Sequence, residues 1–324
     1  MRTICSVSLS LFWLLFFAVV FAIHLSSSPA ISQSNDRLVN GNKGFVEING
    51  VKHFFYVLGR GEPLVVLHGG PGTSHEYFLP HLNPLSDLCK IIFYDQRASG
   101  NSSKPADANT VTADYFVKDL EGIRIAFGLE KMRLMGHSWG GLLALLYAFD
   151  YPDRIKSLVL IDSAPPNSDL DSLNLRIREE RRDPKDRKEM GEIMNSEEFK
   201  QLDPDAITRF FKVSEKVRFY NPSLMDKMSL NLDRERIEKL MWVSQLMNSY
   251  LSDYDIGAKL ARIRSPTLII HGDYDSIPVE AAEILHENIK NSKLVVIEKC
   301  GHFPFVEAPD RFMKEVREFL EKNR

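Results

Sequence analysis

Apolar and polar positions begin to alternate at Phe45. The stretch "GFVEINGVKHFFYVLGRG" reads as two strands joined at Asn49-Gly50, the dipeptide that suits a two-residue hairpin turn. From Pro63 the pattern changes. "PLVVLHG", "KIIFYDQR", "KMRLMGHS" and "KSLVLIDS" are short continuous apolar runs, separated by helical patterns, notably over 112–129 and 139–151. Strands apolar on both sides are buried on both faces, so this rhythm predicts a parallel sheet covered by helices. It breaks at Ala164-Pro165-Pro166, and residues 167 to about 255 are charged and helical in pattern without a strand signal. It resumes with "SPTLIIHGDYD", a helix over 278–289, "SKLVVIEKCGHF" and an amphipathic helix from Pro309. The expected plan is one α/β core in two parts, 43–164 and 256–324, with a helical insertion over 165–255. The run "RIREERRDPKDRKEM" in that insertion reads as a solvated helix face.

The first thirty residues follow different rules. Arg2 precedes the apolar run Leu11–Ile23, and small residues follow at Ser28 and Ala30, the layout of an export signal cleaved after Ala30. Export to a periplasm or medium is the expectation, with a polar linker over 31–42; the alternative is an uncleaved membrane anchor, for which the run is short. Composition adds exclusions. A formal charge of −3 offers no basic face for nucleic acid. The three cysteines, Cys5, Cys89 and Cys300, form neither a metal-ligand pattern nor a disulfide framework. Asn101-Ser102-Ser103 is a glycosylation triplet, relevant only if the source modifies exported chains.

Candidate chemistry centres on Gly136-His137-Ser138-Trp139-Gly140, a G-x-S-x-G pattern that a chain of this length shows by chance about 0.1 times. Its setting adds weight: a β-rich run ends at Gly136 and a helix pattern starts at Trp139, the strand–turn–helix context of a nucleophile elbow. Ser138 is therefore the candidate nucleophile. In that architecture the acid and then the base follow the serine along the chain. Of the two histidines beyond the insertion and the next acid-bearing strand, His286 sits mid-helix, whereas His302 directly follows a strand and is the candidate base. Asp273 and Asp275 both leave the strand "TLIIHG"; Asp275 lies where the turn aims it across the strand ends, and Asp273 suits bonding to turn backbone.

With "HGGPG" at His68–Gly72, the elbow, "HGDYD" and "CGHF" in order, the chain resembles the α/β-hydrolase superfamily. "HGGPGTSHEYF" and "FYDQRASGNS" are similar to the proline iminopeptidase group of serine peptidases, from about Phe45 to the C-terminus and least in the insertion. The resemblance implies an eight-stranded, mostly parallel sheet with the insertion as a helical cap. It implies a triad of Ser138, Asp275 and His302, an oxyanion hole from the N–H groups of Gly70 and Trp139, and no metal or cofactor. It also implies release of an N-terminal residue such as proline from a small peptide. Two departures bear on that specificity. Ser276 stands where one branch of the family has a glutamate, and the Trp-x-x-Trp-Glu element of another is missing, Trp242 being the one tryptophan of the insertion. Glu179, Glu180, Glu215 and Glu235 are the acids available to meet a substrate ammonium, and each also fits a surface charge. An ester hydrolase, esterase or lactonase, on the same triad is the competing expectation.

Overall fold

The computed structural model describes residues 42–324. The expected export signal with Cys5, and all of the linker but its last residue, lie outside the described residues. Among the described residues no helix is long and apolar enough to cross a membrane.

β1 (Lys43–Ile48) and β2 (Val51–Leu58) form the antiparallel hairpin. Asn49 and Gly50 both have positive φ, +50° and +73°, the turn whose twist matches that of paired strands. β3 (Pro63–Leu67), β4 (Lys90–Tyr94), β5 (Met132–His137), β6 (Ile155–Ile161), β7 (Thr267–Gly272) and β8 (Ser292–Ile297) run parallel, in the sheet order β1-β2-β4-β3-β5-β6-β7-β8. The period-2 geometry sends Val65, Leu67, Leu134, Leu158 and Leu160 to one face and Leu64, Val66, Met135, Val159 and Ile161 to the other. All ten are fully buried, each side chain contributing about 1.5–3 kcal/mol of transfer free energy. That double burial is why these strands read as continuous apolar runs.

α1 (Ala113–Ala126) and α2 (Trp139–Asp150) cover one face. Between β6 and β7 come α3 (Ser168–Arg181), α4 (Pro184–Asn195), the single turn α5 (Glu197–Lys200), α6 (Pro204–Glu215) and α7 (Arg234–Leu251). Each begins at a side-chain cap, Asn167, Asp183, Ser196, Asp203 and Asp233 in turn, which accepts from an otherwise unpaired N–H of the first turn. The insertion is pinched at its neck by a bridge between Asn167 and Asp255, with Ile256 N–H donating to Pro166 O at 2.9 Å. α8 (Val279–Asn288) joins the first helical layer. The short α9 (Pro304–Glu307) and α10 (Pro309–Lys322) pack on the opposite face through Phe305, Phe312, Val316 and Leu320.

Because β3 and β5–β8 are parallel, their C-terminal ends deliver "HGGPG", Ser138, the insertion, "DYD" and "GHF" to one edge of the sheet. The insertion meets that edge directly. A Cβ on Gly72 would come within 3.0 Å of the Leu240 backbone in α7, and Arg218 O accepts the His302 N–H at 2.8 Å. The charged run is not the purely solvated face that its composition suggests. Arg181 donates to Tyr274 O at 2.5 Å and stacks on that ring, Arg182 is buried against Ser214 O, and Arg178 turns to Glu215. Partners distant in sequence draw these three inward, whereas Lys188 stays exposed.

Candidate active site

Ser138 stands at the top of β5 with φ +56° and ψ −122°, a strained conformation for a residue with a side chain. The neighbouring glycines show why the turn is affordable. A Cβ on Gly136 would lie 2.2 Å from Gly140 O, one on Gly140 2.2 Å from Leu67 O, and one on Gly141 2.5 Å from Ser163 Oγ. The start of α2 therefore lies too close to β5, to the end of β3 and to the chain after β6 for a side chain at these positions. Ser138 is held half-buried at the helix N-terminus, where partial positive charge gathers.

His302 follows β8 and is buried, and its Nδ1–H donates to Asp275 Oδ2 at 2.6 Å. Asp275 Oδ1 in turn accepts from the Ile277 N–H at 3.2 Å. Since Nδ1 carries the proton toward the carboxylate, Nε2 is the basic nitrogen, and it is buried without a hydrogen-bond partner. The His137 and His302 rings are 4.6 Å apart, which sets His302 beside the residue preceding Ser138. Burial pushes the His302 imidazole down and Arg218 adds to this; Asp275 opposes them, and the balance lies at about 4. Burial would raise the Asp275 carboxyl, but the charge and hydrogen bond of His302 prevail and hold it below its ordinary range. A neutral imidazole with a free lone pair, oriented by a carboxylate, is equipped to take a proton from a hydroxyl. The other candidates are engaged elsewhere. Asp273 accepts from the Cys300 N–H at 3.2 Å, and His286 pairs with Ser292 on the surface at 2.8 Å.

The "HGGPG" loop lies alongside. A Cβ on Gly69 would be 3.2 Å from Ser138 Cβ, so the loop touches the elbow. The Gly69 N–H is already donated to Tyr77 Oη at 2.6 Å. The Gly70 and Trp139 N–H groups have no acceptor among the described residues, leaving two donors at the loop and at the helix start.

Residues 62–309 match the family described as alpha/beta hydrolase fold. The chain belongs to that family. Proline iminopeptidase of Lactobacillus helveticus is 33% identical over 306 residues, spanning 87% of this chain and 98% of that protein. Among solved structures, a proline iminopeptidase of Mycobacterium smegmatis superposes with a TM-score of 0.64 at 21% identity, covering 87% of this chain and 98% of that one. Est816, described as an N-acyl homoserine lactone degrading enzyme, superposes at 0.63 and 21% identity, covering 85% of this chain and 100% of that one. The two structures speak to the fold alone. This α/β hydrolase is thus a peptidase-like hydrolase similar to the proline iminopeptidases.

Around its candidate site this α/β hydrolase carries a support layer that its motifs did not disclose. Gln96, from "DQRASG", receives the Trp139 indole N–H at 2.7 Å and donates its own amide to His68 O at 2.8 Å, joining the elbow to the glycine loop. Its backbone N–H donates to His68 Nε2 at 3.0 Å, which assigns the His68 proton to Nδ1, where it donates to Gly69 O at 2.8 Å. Asp95 is fully buried and accepts from the His75 N–H at 2.9 Å, His75 Nδ1 at 2.8 Å and the Asn101 N–H at 2.8 Å. The Asn101 amide also accepts from Arg236 at 2.7 Å, so the glycosylation triplet is part of this packing. Tyr77 Oη–H donates to His137 Nδ1, and His137 Nε2–H to His302 O, each at 2.8 Å. One buried chain of hydrogen bonds therefore runs from Gly69 to the His302 backbone. Sequence spacing marked Asp95 and Gln96 as motif members without indicating these contacts.

Three of the four candidate acids of the insertion are paired. Glu215 lies between Arg178 at 2.5 Å and Arg218 at 3.1 Å, and Glu179 between Arg182 at 3.3 Å and Arg187. Glu235 meets Lys239 at 3.1 Å, and Glu180 is exposed. Burial alone would raise the Glu215 carboxyl, but Arg178 and Arg218 outweigh it and hold it at about 2. Asp162, His271 and Asp275 are the one group among the described residues with potential metal-ligand atoms within 4.8 Å of each other. Asp275 is already occupied by His302 and Asp162 Oδ1 by the Gly272 N–H at 2.9 Å. Cys89 and Cys300 are buried free thiols.

Proposed function

We propose that this α/β hydrolase acts through Ser138, His302 and Asp275, releasing an N-terminal residue such as proline from small peptides. The observation that carries the mechanism is the 2.6 Å His302–Asp275 contact with Nε2 left free next to the elbow. In this reading Ser138 Oγ attacks the scissile carbonyl carbon as His302 Nε2 takes its proton. The developing oxyanion receives the Trp139 and Gly70 N–H groups, each worth about 10²–10³ in turnover. The imidazolium protonates the leaving amine, and an acyl-enzyme on Ser138 remains. Water, deprotonated by the same nitrogen, hydrolyses it and restores the serine. Asp275 holds the productive tautomer and balances the imidazolium. The relatives named proline iminopeptidase support the peptide specificity.

A second reading, a carboxylic ester or lactone hydrolase on the same residues, is favoured by the pairing of Glu179, Glu215 and Glu235 with basic side chains. Of the four acids considered for meeting an ammonium, that pairing leaves Glu180 alone without a basic partner among the described residues. Purified protein incubated with a proline arylamide, its N-acetylated form and short acyl esters separates the two. Cleavage of the free amine over the acetylated form supports the aminopeptidase. Equal cleavage of both, or turnover of the esters alone, overturns it.

A further inference from the structure

Asp162 directly follows β6 and was not among the residues that the motifs marked. It has no exposed surface and sits at φ +39°, in the left-handed region that aspartate tolerates better than most residues. Its Oδ1 accepts from the Gly272 N–H at 2.9 Å, while Oδ2 is buried with no donor among the described residues. The surroundings supply acceptors instead. A carboxylate oxygen of Asp275, likewise buried, lies within 4.8 Å of one of Asp162. His271 donates through Nε2–H to Ile277 O at 2.9 Å, so its Nδ1, 3.6 Å from Asp162 Oδ1, offers no proton when the ring is neutral. Two ionised carboxylates this close in a buried site would repel strongly, and a buried carboxyl facing acceptors is satisfied by carrying the hydrogen itself.

We propose that Asp162 is a positioning residue that remains a neutral carboxylic acid and donates its O–H to the Asp275 carboxylate, fixing the acid that orients His302. This rests on the roles assigned to Asp275 and His302 above. Burial, and then the Asp275 charge, push the Asp162 carboxyl well above its usual range, in keeping with that geometry. The groups facing the pair are His271 on β7, Cys300 and His302 after β8, Glu307 of α9, His137 on β5 and Arg218 of the insertion. Of these, His302, His271 and Arg218 favour the ionised form of Asp275. A donated hydrogen bond makes Asp275 a weaker base and so keeps His302 harder to protonate.

Two variants and two readouts test this. Asp162→Asn retains an N–H donor toward Asp275 and an acceptor for Gly272, whereas Asp162→Leu retains neither. In the kcat/KM–pH profile, Asp162→Asn should keep the acid limb within about 0.3 of the wild-type midpoint and exceed Asp162→Leu in activity at least tenfold. Asp162→Leu should move the limb upward. A downward move of about one pH unit or more in Asp162→Asn would mean that a charge had been removed and overturns the proposal. An unmoved limb in Asp162→Leu does so as well, since it leaves a merely structural role. The second readout needs no turnover: the infrared difference spectrum of wild type minus Asp162→Asn at neutral pH should contain a protonated-carboxyl C=O band. Its absence overturns the neutral acid whatever substrate the enzyme takes, and failure of Ser138 to label marks failure of the catalytic reading separately.

Discussion

Replacing Glu215 by glutamine distinguishes a structural ion pair from a substrate-binding carboxylate. A carboxyl held at about 2 instead of 4.5 favours its charged form by about 3 kcal/mol. Glutamine removes that charge and leaves Arg178 and Arg218 facing each other, a loss of about 3–5 kcal/mol for fully buried pairs. These side chains are 14–21% exposed, so solvent reduces the expected loss to about 2–3 kcal/mol. At about 2 °C per kcal/mol for a chain of this size, Tm should fall by about 5 °C. Because Arg218 O holds the His302 N–H, kcat/KM should fall for proline arylamides and acyl esters alike. Thermal melts of wild type, Glu215→Gln, Arg218→Gln and the double variant measure the coupling, and the double variant should lose less than the sum. An unchanged Tm with KM raised about tenfold for the free-amine substrate alone would refute this reasoning and assign Glu215 to the ammonium.

Four further outcomes follow from the same geometry. A base with its pKa lowered from 6.5 to about 4 stays neutral over that interval, so kcat/KM should hold as pH falls through 6.5 and drop with a midpoint near 4; a midpoint at or above 6.5 contradicts the burial argument. Gly140→Ala, whose Cβ would meet Leu67 O at 2.2 Å, should prevent soluble folding, whereas Gly191→Ala, open within α4, should add about 0.5–1 kcal/mol in a denaturant titration. Tyr77→Phe leaves Gly69 N–H and His137 Nδ1 unpaired and should cost about 1–3 kcal/mol, with kcat lowered in the same preparation. N-terminal sequencing of protein recovered from its native host should begin at Ile31 if the first thirty residues are an export signal; a chain beginning at Met1 in the membrane fraction supports the anchor instead.

The features legible in sequence were those whose physical cause is local. Hairpin geometry at Asn49-Gly50 needs two positive φ angles, and burial on both faces writes itself into "PLVVL" and "SLVLI". The close packing of the elbow was readable because its glycines answer to backbone atoms within a few residues or on the adjacent strand, and the candidacy of His302, which the fold sets against Asp275, because chain order narrows the choice. What pairing alone decides was hidden. Asp162 follows "LVLI" as any loop residue would, and its environment comes from β7, more than a hundred residues later. Glu215 and Arg178 are 37 positions apart, and nothing in "RIREERRDPKDRKEM" shows which arginines turn inward. Gln96 illustrates a third case. Its motif pointed to a family, but only the folded chain reveals that it joins the Trp139 indole to the His68 carbonyl.

The central claim is that Ser138 is a nucleophile activated by His302. Intact-mass and peptide mapping of folded protein after exposure to a fluorophosphonate tests it most directly. The account predicts a single adduct on Ser138, absent from Ser138→Ala and formed far more slowly in His302→Ala. Folded wild type that takes no adduct, or takes it on another residue, would contradict it.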